Sequence, residues 1–165
     1  MPLTALRSKT RITATQRSAC TCGSLRKASR RISQFYDTAL APVGIKSTQY
    51  SILSELERSE SAGGIGIGMS DLADAMVMDR STLGHNLRPL QRDRLLQLRL
   101  ADDDGRKRLV VLTQKGKSTL QQARRLWRTA EGRFEKVFGK RHAATLRAVL
   151  LSIAGNAELN SLPLR

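Results

Sequence analysis

Aromatic residues are scarce in this chain: Phe, Tyr and Trp make up 4% of 165 residues, and there is a single Trp. Leu and Ala carry most of the apolar content instead, which favours packed helices over a β-sandwich. There are two cysteines, Cys20 and Cys22. One residue apart, they are too close for an unstrained disulfide with each other and too few for a stapled scaffold. With His85 and His142 far along the chain, they match no zinc-ligand spacing, so no metal site is expected. No apolar run approaches the roughly 20 residues needed to span a bilayer. No continuous apolar stretch follows Arg7, Lys9 and Arg11, so a secretory signal is not expected and the expected location is the cytoplasm. Acidic residues are the remaining shortage. Against 29 Lys and Arg stand 14 Asp and Glu, giving a net charge of +15 and a pI near 11.2. Such a balance attracts phosphate backbones and also acidic membranes, and charge alone does not choose between them.

What the chain does contain is helical periodicity. A length of 165 residues with 40% hydrophobic composition suffices for one core with an added dimerisation layer. Residues 1–18, with four cations and no acid, read as a disordered basic tail. From Ser24 onward Leu25, Ala28, Ile32, Phe35, Ala39 and Leu40 recur at spacings of three and four, which predicts a helix ending near Ala41, before Pro42 and Gly44. A second helix starts at Ser47 or Thr48, presents Tyr50, Ile52, Leu53 and Leu56, and ends near Arg58. The glycine-rich stretch up to Gly68 has no following GK[ST] and no preceding strand, so it reads as a connection and not a phosphate loop. Ile67 and Met69 form a short strand that pairs with a later hairpin.

The segment from Met69 to Thr113 carries the chemistry. Ser70 caps a helix from Asp71 to Met76; Val77, Met78 and Asp79 make a turn; and Asp79 or Ser81 caps the next helix. Leu83, Leu87 and Leu90 point inward from that helix, leaving Ser81, Thr82, Gly84, His85, Asn86 and Arg88 on or beside the outer face. Small and hydrogen-bonding groups of this kind suit a helix lying in the major groove of double-stranded DNA. A hairpin follows. Leu96, Leu98 and Leu100 alternate with Gln97 and Arg99, the chain turns through Asp102 to Gly105, and it returns through Arg106, Lys107 and Arg108. Cations at a hairpin mouth sit over phosphates or enter the minor groove, and Asp104 is placed to hold Arg106 by a salt bridge. The expected fold is mainly α with a small β-hairpin wing. A winged helix-turn-helix over residues 46–113 joins a helical dimerisation region built from 19–45 and 114–165. In the latter, Leu120, Ala123, Trp127, Ala130, Phe134 and Val137 form a coiled-coil-like seam that Gly139 ends, and Leu146, Leu150, Ile153 and Ala157 form another. Burying both seams calls for a two-fold homodimer.

Over roughly residues 24–156 the chain resembles the MarR family of bacterial transcriptional regulators. The resemblance rests on Leu72 and Ala73, on Asp79-Arg80-Ser81-Thr82, on Leu87 and Leu90, on Asp104, Arg106 and Lys107, and on Leu112-Thr113 followed by Gly116. It implies a dimer with interlocked terminal helices that reads a pseudo-palindromic operator and is released by a small aromatic ligand or by thiol oxidation. The DNA-contacting candidates are Ser70, Arg80, Ser81, Thr82, His85, Asn86 and Arg88, with Asp104, Arg106, Lys107 and Arg108 from the wing. Three positions depart from the family pattern. Arg94 stands where a left-handed Gly is usual, Gly105 replaces the acid before the wing arginine, and Pro89 lies inside the recognition helix, where it predicts a kink or a less regular helix past Asn86.

The position of Cys22 relative to Leu25 and Tyr36 resembles the reactive cysteine of the organic-hydroperoxide-sensing branch. A helix amino terminus and Arg26 would favour its thiolate. Ser47 replaces a tyrosine of that branch, and Cys20 is an added thiol. Cys22, Cys20 and Tyr36 are therefore the redox-sensing candidates, weighed against cysteines that serve only in packing. No enzymatic activity and no cofactor are expected. The competing functions are a non-specific nucleoid-type binder held by charge and a thiol peroxidase using Cys22.

Overall fold

The computed structural model describes residues 20–101 and 108–161. The expected basic tail and the hairpin tip with Asp104, Arg106 and Lys107 lie outside the described residues. The described residues form two compact units, one within Phe35 to Ala130 and one from residues 20–34 together with 131–161.

Helix α1 spans Thr21–Leu40, starting three residues before the expected Ser24. The reason is a thiol in the capping role. Cys20 Sγ accepts the Gly23 N–H at 3.4 Å, while its carbonyl accepts from Ser24 at 3.0 Å. A 3-10 turn over Ala41–Val43, with Pro42 in its first residues, and Gly44 at φ 72° then end the helix as expected. Helix α2 spans Ser47–Ser61. Its first residue does not cap itself: the Ser47 N–H and hydroxyl both donate to Asp37 Oδ1 of α1, each at 2.6 Å. The helix runs past Arg58 because that residue pairs with Glu55 one turn back and the backbone ladder continues beyond it.

Strand β1 (Ile67–Gly68) leads directly into helix α3 (Met69–Ala75), followed by α4 (Arg80–Arg92), β2 (Leu96–Leu100), β3 (Arg108–Leu112) and α5 (Gln114–Phe138). The sheet has the order β1-β3-β2, antiparallel throughout, with Leu96 opposite Leu112 and Leu100 opposite Arg108. Gly66 precedes this sheet for a steric reason. A Cβ there would lie 2.7 Å from Val111 Cγ2 and 2.9 Å from the Val110 carbonyl oxygen. The core of this unit gathers Leu53 and Leu56 from α2, Leu72 from α3, Leu83 and Leu90 from α4, and Val110 from β3. Leu40 of α1 and Leu120 and Ala123 of α5 belong to the same cluster, which is why the unit boundaries fall within those two helices. Three of the few aromatic rings stack here. Trp127 has Tyr36 on one face at 4.0 Å and Tyr50 on the other at 4.4 Å, both nearly parallel. Tyr50 also meets Arg124, which pairs with Glu57 and is held more basic than usual by that hydrogen bond first.

In the other unit α5 ends at Gly139 (φ 84°), and α6 (Lys140–Ala154) and a short α7 (Glu158–Ser161) follow. Arg147 reaches back to Glu131 and, at 3.4 Å, to Glu135. The apolar stripe expected on α6 is present but uncovered: only Ala143 is buried, while Leu146, Leu150 and Ile153 are exposed.

Candidate nucleic-acid interface

Helix α4 is set by its first residue. Asp79, in extended backbone, accepts the Thr82 N–H at 2.8 Å through Oδ1. The same carboxylate takes the hydroxyl hydrogens of Ser81 and Thr82, each at 2.6 Å. Hydrogen bonds from Ser81 and Thr82 hold the Asp79 carboxyl well below the usual carboxylate range. Both hydroxyls have therefore spent their donors inward and offer lone pairs outward. Asn86 behaves alike, its Nδ2 donating to the Thr82 carbonyl at 2.9 Å, which leaves its Oδ1 as an acceptor. His85 and Arg88 lie exposed on the same side. The three inward leucines, Leu83, Leu87 and Leu90, are all buried, so the face opposite them is fixed by packing.

The helix continues through Pro89 to Arg92. Proline removes only the bond to the carbonyl of His85, an exposed residue whose carbonyl can turn to water. Arg92, one turn beyond Arg88, shares the outer face and is bound to Asp93 at 3.1 Å. It was not among the sequence candidates, although its i, i+4 spacing from Arg88 is the signal that finds it. Arg94 closes the helix at φ 58°, the left-handed conformation expected there, and Val77 in the preceding turn has φ 52°. Both are strained, the β-branched Val77 more so.

Ser70 does not cap α3, which begins one residue earlier after Gly68. Its hydroxyl instead accepts from Arg80 Nη2 at 2.7 Å, fastening the start of α4 to α3. On the wing, Arg108 opens β3 at the exposed end of the ladder, and Arg99 on β2 is exposed beside it. At the other end of the wing one residue joins three elements. The Thr113 hydroxyl donates toward the Arg94 and Leu95 carbonyls at 2.7 and 3.2 Å and accepts the Gly116 N–H at 2.9 Å, capping α5. Lys115 Nζ donates to the Asp93 carbonyl at 2.9 Å. The structure thus brings Ser70, Arg80, Ser81, Thr82, His85, Asn86 and Arg88 together on α3 and α4, with Arg108 on the wing.

The redox candidates differ in exposure. Cys20 and Cys22 are exposed at the start of α1, whereas Tyr36 is buried in the aromatic stack. Among the described residues no cluster of His, Cys, Asp and Glu could hold a metal ion, and no helix is long and apolar enough to cross a membrane.

The M. tuberculosis transcriptional regulator MosR, solved in complex with DNA, is similar to this chain at 31% identity and a TM-score of 0.74, over 87% of this chain and 99% of that one. The chain belongs to the MarR family of transcriptional regulators. Two further MarR-family structures share the fold. The transcriptional repressor CouR, bound to a 23-mer DNA duplex, has 24% identity and a TM-score of 0.73, covering 89% of this chain and 99% of its own. MarR from E. coli, in its apo form, has 18% identity and a TM-score of 0.65, covering 82% and 98%. No family model and no curated protein sequence matches the chain. Within the MarR fold, the Asp79 and Thr113 caps give physical content to the motif residues on which the resemblance rests.

Proposed function

We propose that this chain is a sequence-specific DNA-binding regulator that occupies a pseudo-palindromic operator as a homodimer and catalyses no reaction itself, acting in the cytoplasm. The observation that carries this reading is α4. A helix packed by three buried leucines presents acceptors at its amino end and cations further along, the arrangement that matches base-edge amino groups and guanine acceptors in a major groove. Among the described residues, eight of the twelve exposed large hydrophobics, Val137, Phe138, Leu146 and Leu150 included, lie in the unit without the wing, and a second copy of the chain is the natural cover for them.

Release follows from a signal at the dimer helices, either a small aromatic ligand or oxidation of Cys22. In the second case a hydroperoxide takes the Cys22 sulfur from thiol to sulfenic acid and leaves as the corresponding alcohol. The exposure of Cys22 in the first turn of α1 supports it. The test is titration of reduced protein onto a labelled fragment of its own upstream region against a scrambled competitor, with Cys22→Ser in parallel before and after peroxide. Preference for the native fragment by about 4 kcal/mol or more supports operator reading. Equal affinity for both fragments favours a nucleoid-type binder and removes this one. Peroxide release that persists in Cys22→Ser eliminates Cys22 as the sensor.

A further inference from the structure

Helix α1 carries Arg26, Lys27, Arg30 and Arg31 within two turns, all exposed, and no acidic residue before Asp37. None of the four side chains makes a hydrogen bond or ion pair among the described residues. Arg26 and Arg30 are one turn apart, as are Lys27 and Arg31, so the four charges form a strip along one side, off the Leu25, Ala28 and Ile32 stripe. An open groove of about 360 Å3 borders the Arg26 and Arg30 edge of this strip, lined by Leu25, Arg26, Ser29 and Arg30. Elsewhere in the same unit, Glu131 and Glu135 are both engaged by Arg147. Among the described residues no acidic side chain pairs with the strip on α1.

We propose that this strip is a second, sequence-independent binding surface for the phosphate backbone of DNA, separate from the winged unit. It rests on the reading of the chain as a DNA binder and extends it to a surface that reads no bases. Guanidinium, ammonium and hydroxyl groups are the side chains that commonly contact phosphate oxygens, and Arg26, Ser29 and Arg30 line one groove together. A lipid surface is the weaker partner. An interfacial helix needs a broad apolar face with large side chains, and this half of α1 has only Leu25, Ala28 and Ile32, the two larger ones already half-buried.

The test uses the full-length chain with Arg26, Lys27, Arg30 and Arg31 all changed to Ala, and two half-variants, Arg26→Ala with Arg30→Ala and Lys27→Ala with Arg31→Ala. Affinity for a scrambled duplex and for the upstream fragment is measured across a salt series. The slope of log affinity against log salt is expected to become shallower by about 1 for each cation that neutralises a phosphate, equally on both duplexes, with the preference between them unchanged. An unchanged slope in the half-variants, with melting temperature and dimer intact, overturns the proposal. So does wild-type binding to phosphatidylserine vesicles that the variants lose while their DNA slope stays the same. If the wild type shows no preference for its upstream fragment, operator reading fails, and the slope on scrambled duplex still decides the role of α1.

Discussion

At the scale of single residues, the outer face of α4 is defined by where hydrogens go. Arg88 is the exposed cation among acceptors, and Arg88→Ala is expected to weaken binding to the native fragment by about 1–3 kcal/mol, roughly 5- to 150-fold, with little change on scrambled DNA. A competition titration with both duplexes reads the difference. Asp79 makes a prediction in pH. Its folded pKa is depressed below the ordinary 3.8 by hydrogen bonds from Ser81 and Thr82, so its contribution is fully present above that value and fades as pH falls through and below it. The gap in melting temperature between wild type and Asp79→Ala should thus be widest at neutral pH and narrow steadily below pH 3.8, as a calorimetric series from neutral to strongly acidic pH would show. A gap independent of pH would falsify the cap as ionic. Asp79 was legible in the sequence because an acid before a periodic helix is a capping signal. Cys20 was not, since a thiol is a poor capping residue by propensity and only the fold shows it accepting a backbone amide.

At the scale of elements, the start of α5 is pressed onto the end of the recognition segment. A Cβ on Gly116 would collide with the Leu95 carbonyl oxygen, which already receives the Thr113 N–H. Gly116→Ala is therefore expected to cost about 1–3 kcal/mol in urea denaturation, more than the same change at Gly132, where nothing stands within 4 Å. Element order, the inward leucines of α4 and the strand at Ile67 could all be read locally, because periodicity, caps and turn residues act over a few positions, whereas the left-handed turn at Arg94 was implied only by the family resemblance. Element ends were harder. The first turn of α2 depends on Asp37, ten residues earlier on another helix, and no local pattern reveals that partner. The stack of Tyr36, Trp127 and Tyr50 was equally hidden, each ring appearing only as one member of its own helix stripe.

At the scale of the whole molecule, the exposed apolar stripe of α6 is the feature that most needs a partner. Leu150→Glu places a charge in that stripe, and the expected outcome is a monomer in analytical ultracentrifugation that binds the native fragment about 100-fold or more weakly, since one half-site is lost at a time. A stable Leu150→Glu dimer would rule out this stripe as the interface. The charge balance belongs to this scale as well: its sign was plain from composition, and helical spacing alone sets Arg26, Lys27, Arg30 and Arg31 off the α1 stripe, while the fold shows all four exposed. The stacked rings have a practical consequence. The chain's one indole sits between two phenols contributed by α1 and α2, so its ultraviolet emission and near-ultraviolet ellipticity report a single event, the parting of those helices from α5. The protein carries its own optical gauge of whether the helices around its winged unit are closed, legible in real time without a dye.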